Sequence, residues 1–389
     1  MSLYYSIEIQ FLIQIFYIFL IWFDLVNLIR LCFCLQNKYF HNQNCYQEIK
    51  SFNKNNQKSS NMNKIIALFA LVFCTVISIN MIYHTNTNKF LLELEDNEVD
   101  FQQEWEKYQK TYKIHFDDSG EEEEKRRFQI FTKNLVYILS RPGLSITQYT
   151  HLTKEEFAQM SFGVVEQEPD NFQLLQQVNE PVNSIDWISK NAVSNVKTQG
   201  MCQSSWAFAA VAGVESALFL KNGKIPDVSE QNLLDCDQSN QDCNGGDREK
   251  AIQYILNQGL TSQLTNPYRA YKQKKCKFQV KQPYSISRYM QINNCKDLLS
   301  ALENGPVIIA IDGTDLQFYE GGILNTNYSS RSVGGLLVEY NYEQGYYKIK
   351  TSLGSNFGEQ GYVRLSGQVK DGMIQNTAGI CDKAFQVFA

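Results

Sequence analysis

The sequence predicts an α+β chain, helical in its earlier half and richer in strands toward its C-terminus. Three observations carry this. Apolar and aromatic residues recur at helical spacing between residues 101 and 138. Short apolar or alternating runs at 307–311, 336–340, 346–350 and 362–365 read as strands. The chain has 389 residues, 43% of them hydrophobic and 20% charged, so it can bury a full-sized core. Disorder and a membrane bundle are both poor descriptions of such a composition.

A net charge of −5 without a long basic stripe leaves no electrostatic footprint for nucleic acid. Ten cysteines suit an oxidising, secretory route better than the cytosol. The chain has four histidines, His41, His84, His115 and His151, and none lies beyond residue 151. A domain in the C-terminal half must therefore work without an imidazole.

Residues 11–23 are apolar, but Asp24, Asn27 and Arg30 interrupt the run before the roughly 20 residues that a spanning helix needs. Residues 62–78 read as a secretory signal peptide, with Lys64 as the basic start, an apolar middle, and Val76 and Ser78 spaced like a cleavage site. A signal sequence normally begins a protein. Met62 is thus read as the initiator and 1–61 as an upstream extension, with a signal anchor as the competing reading.

The segment 97–160 comes next. Phe101, Trp105, Tyr108 and Tyr112 mark one amphipathic helix, and Asp117, Asp118, Ser119 and Gly120 mark a turn. A second helix follows, opening on Glu121 to Glu124, where negative charge suits the helix dipole. Glu123, Arg127, Phe131, Asn134 and Ile138 fall at spacings that resemble the ERFNIN pattern of cathepsin-type propeptides. The W-x-x-Y-x-K-x-Y stretch from Trp105 to Tyr112 resembles the start of the same inhibitory prodomain. Two departures stand out. Pro142 replaces the last Asn of the pattern, and the G-x-N-x-F-x-D stretch reads Ser145, Thr147, Tyr149 and His151. In the family this prodomain runs backwards through the active-site cleft. Residues 164–180, rich in Gln and Glu, read as a linker to be cut.

Further motifs follow from residue 181. Pro181 to Trp187 reads P-V-N-S-I-D-W, and Val196 to Phe208 reads V-K-T-Q-G-M-C-Q-S-S-W-A-F. Val228 to Cys236, Cys243 to Gly246, Gly305 to Val307 and Gly354 to Tyr362 continue in order. Residues 181–389 resemble the papain-like cysteine proteases. That resemblance implies a two-subdomain fold: a helical half around a long helix starting near Ser205, and a β-barrel-like half.

The resemblance also assigns site positions. Gln199 takes the oxyanion-donor position, Ser205 the nucleophile position, Val333 the histidine position and Thr351 the position of the ring-orienting Asn. Leu353 stands for the shielding Trp. A papain-type site needs a thiolate and a histidine, and a serine attacks only when a base takes its proton. A Ser–Lys dyad with Lys348 or Lys350 is the residual catalytic option. Along the cleft, Gln203 replaces a glycine and projects toward the primary subsite, and Gly245 and Gly246 are kept. Asp247 and Arg248 follow, either as a solvated surface pair or as a re-purposed charged pocket.

The family pattern pairs Cys202 with Cys243 and Cys236 with Cys276. Cys295 and Cys381 form either a replacement bridge or two buried thiols, because sequence does not give the distance between their Cα atoms. Asn327 is a glycosylation sequon. These readings give a secretory protein, extracellular or lysosomal, monomeric, without metal or cofactor. They place a peptide or protein ligand, or the chain's own prodomain, in the cleft. They give no membrane contact after signal removal. The expected function is binding without catalysis, the alternative being an active or altered cysteine-type endopeptidase.

Overall fold

The computed structural model describes residues 99–116, 120–166, 173–178, 183–273, 275–277, 282–326 and 328–389. The extension, the signal peptide, the turn residues Asp117 to Ser119, Pro181 and Asn327 lie outside the described residues. Phe101 to Ala389 form one compact unit.

The first part is a helical scaffold. Helix α1 (Phe101–Tyr112) buries Trp105 and Tyr108, three residues apart on one face. Helix α2 (Gly120–Leu139) answers with Phe131, Leu135 and Ile138. The Phe131 ring lies 5.2 Å from that of Trp105 and 4.8 Å from that of Tyr108. Helix α3 (Lys154–Ser161) starts at a capping box, where the Thr153 hydroxyl accepts from the Glu156 N–H and the Glu156 carboxylate accepts from the Thr153 N–H.

The ERFNIN-like residues act as a lock. Arg127 pairs with Glu123 at 2.6 Å on its own helix and with Glu156 of α3 at 2.6 Å. The Asn134 amide donates to the Thr150 and Leu152 carbonyls at 2.8 and 2.9 Å. Two turns of α2 thereby hold the loop that leads into α3.

The larger part is built around α4 (Ser205–Asn222), whose residues from Ser205 to Leu218 are all buried. A helix apolar on every side belongs in a core. Helices α5 (Glu230–Cys236) and α6 (Arg248–Gln258) complete the helical half. Cys202 is bonded to Cys243 and Cys236 to Cys276 in that half.

The other half is an eight-stranded sheet. Its main path runs β3 (Arg288–Ile292), β11 (Ala384–Phe388), β4 (Val307–Ile311), β6 (Val333–Asn341), β7 (Tyr346–Lys350), β8 (Tyr362–Ser366) and β5 (Ile323–Leu324), with β2 (Ile185–Asp186) added beside β6. Helix α7 (Cys295–Asn304) packs on β4 and β6, and Cys295 at its start is bonded to Cys381. The question that sequence left open for these two thiols is answered by a bridge.

One stretch differs from its expected character. Residues 164–180 read as a linker, yet β1 (Leu175–Gln177) pairs antiparallel with β10 (Met373–Gln375), which in turn pairs with β9 (Val369–Lys370). Three residues with one apolar side chain give no periodic signal. Their pairing partner lies some two hundred residues further on.

Candidate active-site cleft

Ser205 opens α4 and is fully buried. Its Oγ accepts a hydrogen bond of 3.0 Å from the Gly334 N–H. Gly334 is the second residue of β6, and a Cβ there would come within 2.6 Å of the Ser205 carbonyl oxygen. Only glycine lets the strand pass so close to the helix start.

Val333, the first residue of β6, is buried and pairs across to Ile311. Its methyl groups and the Phe162 ring crowd Gly313 from outside, since a Cβ added at Gly313 would strike both. Thr351, just after β7, turns its hydroxyl to the Gly361 carbonyl at 2.8 Å. No imidazole or carboxylate bonds to Ser205 among the described residues. Lys350 is buried with its amine on the Ser194 Oγ at 2.7 Å, and burial pushes it down to about 8. Lys348 sits 3.6 Å from Glu339. Neither lysine forms the Ser–Lys dyad that sequence kept open.

Gln199 is fully committed. Its amide donates to the Phe162 and Cys202 carbonyls, both at 2.9 Å, and its Oε1 accepts from the Ser352 hydroxyl at 2.6 Å. The carbonyl of Phe162 thus takes a hydrogen bond from the side chain expected, on the resemblance, to donate to an oxyanion.

The segment after α3 runs through the cleft. Gly163 and Val164 donate to the Ser332 carbonyl at 3.0 and 3.1 Å. The Gly246 N–H donates to the Gly163 carbonyl at 2.8 Å, and the Val165 N–H donates to the Gly246 carbonyl at 3.0 Å, a parallel bridge. A Cβ on Gly163 would meet the Ser205 nitrogen at 2.6 Å. Gly245 lies against Val165, where a Cβ would come within 2.5 Å of that side chain. The Gln203 amide reaches toward the Ala158 carbonyl at 3.4 Å, facing the end of α3.

Asp247 and Arg248 were open between surface pair and pocket. Asp247 caps α6, taking the Glu249 N–H at 2.7 Å, and holds Lys383 at 3.1 Å. Arg248 is 0% exposed. Its guanidinium forks onto both oxygens of Glu166 at 2.8 Å, and its backbone N–H adds a third bond at 3.0 Å. Burial raises the Glu166 carboxyl, but Arg248 and Lys383 outweigh it and hold it at about 2. Glu166, Lys383 and Phe162 were not singled out from sequence. The one available signal was the charged pair Asp247-Arg248 directly after Gly245-Gly246.

The scaffold is moored to the domain beside the cleft. Asp315 takes the Tyr137 hydroxyl at 2.6 Å and Arg141 at 2.9 Å. The Gln317 amide donates to the Tyr149 and Leu152 carbonyls at 2.9 and 2.8 Å. His151 is 2.6 Å from the Tyr108 hydroxyl, and burial, followed by the charge of Arg127, pulls it down to about 4.

A cleft between a helical half and a sheet half, filled by the chain's own preceding segment, is the arrangement of a protease proform. A sequence model described as papain family cysteine protease matches residues 181–387, and the chain belongs to that family. Procathepsin L of Mus musculus is 35% identical over 300 residues, covering 68% of this chain and 87% of that protein. Among solved structures, digestive procathepsin L 3 of the Tenebrio molitor larval midgut superposes with a TM-score of 0.60 at 33% identity. That match covers 75% of this chain and 100% of the other. The recombinant stem bromelain precursor superposes at 0.62 with 28% identity, covering 75% and 99%.

Proposed function

We propose that this chain is a papain-family protein that binds peptide or protein ligands through its cleft without hydrolysing them. One observation carries the reading. The buried residue at the start of α4 is a serine whose oxygen accepts from the Gly334 N–H, and the neighbouring position that would supply a base is Val333. Register cannot alter this, since no histidine lies beyond residue 151. Loss of a catalytic base together with its nucleophile typically lowers turnover on the order of 10⁶-fold.

The bonds made by Gln199 support the reading. Its amide holds the nucleophile loop and the cleft segment together, which gives it a structural use apart from any oxyanion. A secretory route, to the outside or to an endolysosomal compartment, accords with the three disulfides among the described residues. A chain that cannot cut itself keeps its proform length until another protease opens it. The test exposes the processed chain to a thiol-directed epoxide inhibitor and titrates it with peptides. Saturable peptide binding with no covalent adduct is expected. An adduct at position 205 contradicts the proposal and favours an active or altered endopeptidase.

A further inference from the structure

The contact between Glu166 and Arg248 is more than a tether. Arg248 is the first residue of α6 and fully buried, so its charge needs a counterion that water does not provide. The other acidic groups at hand are already engaged: Asp247 spends one oxygen on the helix cap and the other on Lys383, and Glu249 takes the Tyr289 hydroxyl at 3.2 Å and lies 3.9 Å from Lys383. Glu166 supplies the charge, with a side chain 1% exposed, two oxygens on the guanidinium and one of them also on the helix N-terminus. Lys383 stands 3.6 Å from the same carboxylate. Arg248 Nη1 remains a buried donor with no partner. The filled pocket thus matches a planar anion; without Glu166 the guanidinium would keep the Lys383 carbonyl, at 2.7 Å, but no bonded carboxylate among the described residues.

Its position sets what kind of anion can enter. The backbone at Gly163 and Val165 hydrogen-bonds to Gly246, in the manner of an added strand, and Glu166 follows directly. Gly246 offers the same N–H and carbonyl to any extended peptide. We infer that the Arg248–Lys383 pocket is a carboxylate side-chain site, held by Glu166 in the proform and taken by a glutamate side chain of a peptide ligand once this segment withdraws. The inference rests on the cleft being a peptide-binding site.

The experiment uses the full chain carrying Glu166→Ala, which leaves a hole the size of acetate. Acetate, with ionic strength held constant by chloride, is expected to raise the melting temperature of this variant saturably. Acetamide should not, and the unsubstituted chain should not respond. Lys383→Met added to Glu166→Ala should weaken the acetate response, and Arg248→Met should abolish it where that variant folds. Equal responses to acetate and acetamide, or an equal response of the unsubstituted chain, overturn the inference.

A second arm measures fluorescence anisotropy of labelled Phe-Gly-Val-Val-Glu and its Gln counterpart on the processed chain, from which the segment carrying Glu166 has been cut away. The Glu peptide should bind at least about tenfold more tightly, because a buried charge pair is lost in the other. Equal affinities overturn the carboxylate preference. Acetate stabilisation with neither peptide binding supports the pocket's chemistry and overturns the peptide-cleft reading instead.

Discussion

The helical scaffold from α1 to α3 and the centre around Ser205 have been treated differently by the same sequence. In the scaffold four residues of the spacing pattern meet partners: Glu123 with Arg127, Arg127 with Glu156, Asn134 with two loop carbonyls, Phe131 with Trp105 and Tyr108. At the centre the positions that the resemblance assigns to nucleophile, histidine and ring-orienting Asn hold Ser205, Val333 and Thr351, while the Gln199 side chain bonds three groups. The difference teaches which residues a fold retains. Those that hold neighbours in place are kept, and on the proposed reading those whose use was chemical have been exchanged.

The contrast is most easily broken in the scaffold. Phe131 is fully buried among aromatic rings, so Phe131→Ala should destabilise the chain by about 3–5 kcal/mol in urea unfolding. A loss under 1 kcal/mol would mean that the scaffold is not a packed unit.

Next in size is a pH effect. His151 binds its proton only near pH 4 when folded, against 6.5 ordinarily. Between those values the unfolded chain holds more protons than the folded one, so stability falls as pH drops from 6.5 toward 4. The groups acting on the ring are Tyr108, Phe116, Arg127, Glu123 and Glu156, and Glu156 is held at about 2 by Arg127 against the effect of burial. It therefore stays charged through this window. Thermal unfolding against pH should show the decline, and His151→Gln should flatten it. An unchanged slope would place the sensitivity elsewhere.

Thr153→Ala removes the cap of α3 and should cost about 1 kcal/mol, measured by the same unfolding series. The smallest effect is expected at the centre. Ser205→Cys restores the family's nucleophile but leaves Val333 without a base, so fluorogenic peptide turnover should remain at background. A rise of orders of magnitude would show that another group takes the proton.

What sequence revealed followed from how far each signal reaches. The scaffold was legible because its residues repeat at helical spacing within a single helix. The strand at 307–311 was legible because both its faces are buried and apolar, and that at 346–350 because Tyr347 and Ile349 alternate with Lys348 and Lys350. The ion pair of Glu166 with Arg248 was hidden, since its partners stand 82 residues apart and an isolated glutamate in a polar stretch carries no mark. The β1 strand was hidden for a similar reason. Its Leu-Gln-Gln run is defined by the strand it meets, not by its own pattern.

The central claim is that Ser205 has no base to activate it. The most direct measurement compares hydrolysis of a dipeptidyl fluorogenic substrate by the processed chain and by its Ser205→Ala variant, at equal concentration and over the pH range 4 to 8. The account predicts indistinguishable rates, both at the buffer background. Turnover that is present in the first and abolished in the second would contradict it.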